Sequence, residues 1–86
     1  MNLLQIDHVV VPAISTPLSS LISIQAGLQA IVLNAPTNVL YELGKAVNPA
    51  ISQPVFRSED PITAATAATY QFLSTSEGIL TIKQYG

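Results

Sequence analysis

Five carboxylates and one imidazole, Asp7, Glu42, Glu59, Asp60, Glu77 and His8, are the side chains of this sequence that could run acid–base chemistry near neutral pH. A catalytic centre needs such groups within reach of one another and of a nucleophile or metal. Asp7 and His8 adjoin in a stretch that alternates like a strand, where neighbours point to opposite faces, so they do not pair. Glu59 and Asp60 also adjoin, but they stand where Ser58 and Pro61 mark a helix start, and carboxylates there serve the positive helix end. Calcium-type sites need several oxygens at set spacings, and no such run occurs. Serine is abundant, yet there is no Gly-x-Ser-x-Gly elbow, and one histidine leaves little for a triad. The sequence has no cysteine, which removes thiolate nucleophiles, thiolate metal sites and disulfides and leaves the redox compartment open. Gly27, Gly44, Gly78 and Gly86 form no phosphate-cradling loop. The reading is therefore non-enzymatic, with no catalytic residue, no metal and no cofactor expected.

What the composition does single out is a scarcity of charge. Of the 86 residues, 9 % are charged and 49 % hydrophobic, against about 25 % charged in ordinary soluble domains. Charge keeps free surfaces soluble and monomeric, so a chain this poor in it is expected to cover much of its surface. The three basic residues, Lys45, Arg57 and Lys83, stand singly. Without a basic stripe to neutralise phosphates, nucleic-acid binding is not expected. No secretory leader is expected either, because Met1 to Asp7 carry no Lys or Arg ahead of the apolar Val9 to Val11 and Pro12 follows at once.

The elements that must position these residues centre on Thr16 to Asn34, the longest apolar-periodic stretch. At helical spacing it divides into a bulky face (Leu18, Leu21, Ile22, Ile24, Leu28, Ile31, Val32, Leu33) and a narrow face of small residues that includes Ser19, Ser23, Gly27 and Ala30. That narrow ridge would let another backbone approach closely. A competing alternation, Ile22, Ile24, Ala26, Leu28 and Ala30 against Ser23, Gln25, Gly27 and Gln29, leaves a strand open; length and the Thr16-Pro17 start favour the helix. As a membrane span it is short: the 16 residues from Leu18 to Leu33 include five Ser or Gln, whereas a span takes about 20 mostly apolar residues.

Before this stretch, Leu3 to Val11 reads as a strand or an extended arm, with Leu4, Ile6, His8 and Val10 on one side. After it, Thr37 is placed to cap a second helix over 38–47, and 49–57 reads as an irregular crossing pinned by Val55 and Phe56. Ser58-Glu59-Asp60-Pro61 is expected to open a third helix through 62–73. The alternative is a C-terminal hairpin of 68–73 with Ile79 to Tyr85, whose alternation reads as a strand in either case.

The expectation is a single small α+β domain over 1–86, with two to three helices flanked by short N- and C-terminal strands and an extended N-terminal arm or strand over 1–16. Its function is expected to be that of a structural subunit of a large assembly, most concretely a virion component such as a minor capsid, cement or tail protein. It would be held by homo-oligomerisation, by a larger structural protein, or both. The residues offered for that interface are Ser19, Ser23, Gly27 and Ala30 on the helix ridge and Ile79 and Ile82 on the last strand. A small membrane-associated protein of a lipid-containing particle or membrane complex is the competing reading.

Overall fold

Strands, not helices, organise this chain. The computed structural model describes residues 2–36, 38–48 and 55–86, and in order these form β1 (Leu3–Val10), β2 (Thr16–Pro17), α1 (Leu18–Leu21), β3 (Ala30–Asn34), β4 (Leu40–Leu43), α2 (Ala64–Ala67), β5 (Tyr70–Leu73) and β6 (Ile79–Tyr85). They make two three-stranded antiparallel sheets, ordered β1-β6-β3 and β2-β5-β4. The expected α+β arrangement of two to three helices is thus overturned, since each of the two helices among the described residues is a single turn.

Each departure has a local cause. The stretch expected as the main helix leaves helical geometry at Ile22, whose backbone is extended (φ −143°, ψ 165°), and turns at Gly27 with φ +71°. That left-handed conformation costs glycine little and other residues more. From Ala30 the chain is a strand, with Ile31 and Leu33 buried and Val32 and Asn34 half-buried. Period-two burial of branched residues has prevailed over helical spacing. In the second expected helix, Leu40–Leu43 is a strand and Gly44 turns with φ +73°; the expected cap, Thr37, and residues 49–54 of the crossing lie outside the described residues. Lys45 meets Glu42, at 3.4 Å, across that turn.

The third expected helix shrinks to one turn that starts later. Thr63, rather than Ser58, is its cap, its side chain accepting from the Thr66 amide at 3.1 Å. Ser58 instead accepts from the Asp60 amide at 3.3 Å in a local turn, and Pro61 biases Asp60 away from helical geometry. The alternative hairpin is corrected too. Tyr70–Leu73 and Ile79–Tyr85 are strands, but β5 pairs with β2 and β4 while β6 lies between β1 and β3.

The turn that sends the chain from one sheet to the other is built on Ser74. Its buried hydroxyl donates to the Asn38 carbonyl at 3.0 Å and accepts from the Gly78 amide at 2.8 Å, and its own amide donates to the Pro12 carbonyl at 3.0 Å. Both sheets supply one core. Ile31, Leu33, Leu80 and Ile82 come from the first sheet, Phe72 from the second, Leu18 and Ala67 from the two helical turns, and Val11, Ile22, Val39 and Phe56 from the connections. Phe56 and Phe72 meet edge-to-face at 5.5 Å, and Tyr41 and Tyr70 extend that ring cluster, a geometry that adds to simple burial. Burial raises the Tyr70 hydroxyl above the ordinary tyrosine range, with Tyr41 adding to the shift. The Gln84 side chain is fully enclosed: it accepts from the Gln25 amide at 2.7 Å and donates to the Ser23 carbonyl at 3.0 Å. Both ends of the side-chain amide are thereby partnered, as its burial requires.

Candidate functional site

The residues that gather outside the core lie on the outer face of the first sheet. Strand alternation dictates which they are. β1 sends Ile6, His8 and Val10 outward, and all three are exposed, as is Leu4 at the bulge between Leu3 and Gln5. Register places Ile6 beside Lys83, His8 beside Thr81 and Val10 beside Ile79, so the outward row of β6 continues with Ile79, Thr81, Lys83 and Tyr85. β3 adds Val32 opposite Lys83 and Asn34 opposite Thr81. The result is a sheet face that is apolar along β1 and polar toward β3.

At the polar end lies an open depression of about 390 Å³ lined by Val32, Asn34, Glu59, Thr81, Lys83 and Tyr85. Glu59 reaches it from the loop before α2, where its carboxylate accepts from the Asn34 side-chain amide. His8 Nδ1 lies 2.9 Å from the Thr81 hydroxyl. A hydroxyl next to an imidazole is half of a nucleophile–base pair, but a working pair needs a third group to orient the base. The neighbouring carboxylate, Asp7, is turned to the opposite face and accepts from the Gln5 amide at 2.6 Å, while Glu59 sits across β6 on Asn34. Neither carboxylate is placed to orient the imidazole, and the His8–Thr81 pair is exposed. Among the described residues no group of three or more His, Asp or Glu side chains is placed to hold a metal ion. What this face offers is contact area.

The residues named from sequence as interface candidates are scattered by the fold. Ser19, Ser23 and Gly27 are exposed, but they belong to a one-turn helix, an extended segment and a turn, so the ridge that would have joined them does not exist. Ala30 is buried in β3 opposite Tyr85. Ile82 points into the core and is fully enclosed. Of the six, Ile79 alone shares the outer face, half-buried beside Val10.

Sequence reasoning missed the outward row of β1 as a surface, although its members were legible as one side of an alternating stretch. Leu4 is 53 %, Ile6 45 % and Val10 55 % exposed. The opposite side of the same strand, Gln5, Asp7 and Val9, is no more apolar, so alternation alone did not say which side faced the core. No protein-family model, no curated protein and no solved structure matches the chain. No helix among the described residues is long and apolar enough to cross a membrane.

Proposed function

We propose that this chain is a non-enzymatic structural subunit that works by associating with copies of itself or with a larger structural protein, in its most concrete form as a virion component: a minor capsid, cement or tail protein. The observation that carries this reading is the apolar row of Leu4, Ile6 and Val10, exposed on a long edge strand of a chain that is only 9 % charged. Monomeric proteins rarely leave several large apolar side chains along an open strand edge, because the edge is a template for pairing and the apolar side chains reward it. The virion assignment follows from composition and small size, and it is the finer part of the proposal.

Sedimentation and light scattering of the purified chain test it. The expected result is concentration-dependent association in the micromolar range, with lost solubility at higher concentration. A monomer that persists to about millimolar concentration and unfolds in one cooperative step would overturn the reading.

A further inference from the structure

We propose that the partner is a second copy of this chain, joined antiparallel along β1 about a two-fold axis at Ile6, so that the two three-stranded sheets become one of six strands. This rests on the reading of the chain as an associating subunit and names the surface and register through which it associates.

The choice of β1 follows from what closes the other sheet edges. The segment that leads into α2 covers one edge of each sheet. Ile62 exchanges both backbone hydrogen bonds with Ile31 of β3, at 2.8 and 2.9 Å, and Val55 bridges Leu40 of β4 while the Phe56 amide donates to the Val39 carbonyl at 2.7 Å. β2 is two residues long and one of them is Pro17, which has no amide hydrogen to offer. Among the described residues β1 is the long edge that nothing covers; one bulge, between Leu3 and Gln5, interrupts it near its start, and from Gln5 to Val10 it is regular and contains neither Pro nor Lys nor Arg.

The backbone phase is set at the strand's end. The Val11 amide donates to the Gly78 carbonyl at 2.8 Å, so in an antiparallel ladder Val9 and Asp7 exchange bonds with β6, and the amides and carbonyls of Val10, His8 and Ile6 point away from the sheet. Pairing must also keep side chains of opposite residues on one face, which restricts a symmetric partner to registers centred on a residue.

Chemistry then selects among those registers. Centring on Asp7 sets two carboxylates directly opposite one another, which is destabilising. Centring on Gln5 runs most of the overlap through the bulge between Leu3 and Gln5, and centring on His8 sets the two imidazoles opposite one another, puts Asp7 against Val9 and leaves Gln5 outside the overlap of residues 6–10. Centring on Ile6 sets Ile6 against Ile6 and each Gln5 opposite the other copy's Asp7 within the regular part of both strands, and leaves the bulge between Leu3 and Gln5 at the ends of the overlap. Within one subunit the Gln5 amide already donates to the Asp7 carboxylate at 2.6 Å; across the axis the same donor and acceptor meet twice. Asp7 thus acts as a register selector. Because Ile62 covers the far edge of the sheet, the pairing closes at two copies instead of growing into a filament.

Two kinds of variant test the pairing. Ile6→Pro removes an outward amide hydrogen that the subunit itself does not use, and Ile6→Lys sets like charges on the axis at an exposed position. Sedimentation equilibrium should show at least a tenfold loss of dimer in each, with the circular dichroism of the subunit retained. Should Ile6→Pro lose its fold, Ile6→Lys carries the comparison. Cysteine variants read the register in this cysteine-free chain. Ile6→Cys should oxidise to a disulfide-linked dimer, since paired strand residues lie about 5.5 Å apart at Cα, within the disulfide range. Val10→Cys should not, because the two positions would lie roughly 27 Å apart. If the wild-type chain associates but both Ile6 variants associate equally well, or Val10→Cys links as readily as Ile6→Cys, pairing through β1 is overturned while the assembly reading stands. A wild-type chain that stays monomeric at every concentration overturns both.

Discussion

The two sheets are made of the same kinds of residues and treat their surroundings in opposite ways. The β2-β5-β4 sheet is the smaller, yet it is sealed: the rings of Tyr41, Phe56, Tyr70 and Phe72 lie against one another at centroid distances of 5.3 to 5.8 Å, and Val55 closes its β4 edge. The β1-β6-β3 sheet has the two longest strands and is left open along β1, with Leu4, Ile6 and Val10 outward. Strand length therefore does not decide which sheet is finished. The crossing segment decides, because it is tied down beside the second sheet, where the Arg57 guanidinium donates to the carbonyls of Ala35 and Phe56 and to the Asn38 side chain. From there it reaches only the far edge of the first.

The contrast breaks most visibly at Phe72, which is fully enclosed and lies against the rings of Phe56 and Tyr70. Phe72→Ala should cost about 3–5 kcal/mol, a large part of the stability of a domain this small. Chemical denaturation should show a midpoint shifted far toward zero denaturant, or no folded baseline at all. A loss below about 1 kcal/mol would mean that the second sheet is no more closely packed than the first, and the contrast between them would fail.

A smaller effect is expected where the sheets are joined. A Cβ at Gly78 would lie 2.7 Å from the Ser74 hydroxyl oxygen and 2.9 Å from both the Asn38 carbonyl oxygen and a Val39 methyl. None of these gives way easily, since the hydroxyl is itself bonded to Asn38 and to the Gly78 amide. The backbone just before it has little slack to offer, because Glu77 already sits in the left-handed region at φ 56°. Gly78→Ala should destabilise by about 1–3 kcal/mol through overpacking, read as a shifted denaturation midpoint with an unchanged slope.

The terminal strands were legible in the sequence, and the interior was not, for a physical reason. Leu3 to Val10 and Ile79 to Tyr85 alternate, and alternation is a strong signal when a strand buries one face. Thr16 to Asn34 carries two periods at once, and what separates them is tertiary: Ile31 has Ile62 beside it and Gln84 opposite, and Gly27 turns with a positive φ. At Ser58 to Pro61 every local cue favoured a helix, but Ile62 is taken up by its bridge to Ile31 before a helix can begin. The pairing of β5 and β6 with different sheets was invisible because Ser74, which parts them, reads like any other turn serine. Of the surface candidates, Ile79 and Ile82 were offered together although strand parity sets them on opposite faces, and only Ile79 lies outward while Ile82 is enclosed; Ser19, Ser23, Gly27 and Ala30 shared a face only on a helix that does not form.

The smallest expected effect sharpens the contrast most finely, because it sets two adjacent valines against each other. Val10 is outward and 55 % exposed, while Val11 is fully enclosed in the core. Valine to threonine keeps the branched shape and the strand propensity and adds only a hydroxyl. At position 11 that hydroxyl would have to be buried, which costs about 1–3 kcal/mol if it finds no partner. At position 10 it would meet solvent, and the change should stay within about 0.5 kcal/mol. Both should be measured by denaturation at concentrations low enough to keep the chain monomeric, so that loss of association is not counted as loss of folding. Equal costs would mean that the outer face of β1 is covered within the subunit itself, since solvent could not then tell the two sides of the strand apart. A cost at Val11 alone leaves that face free, and any loss of association in Val10→Thr is then a property of the surface and not of the fold.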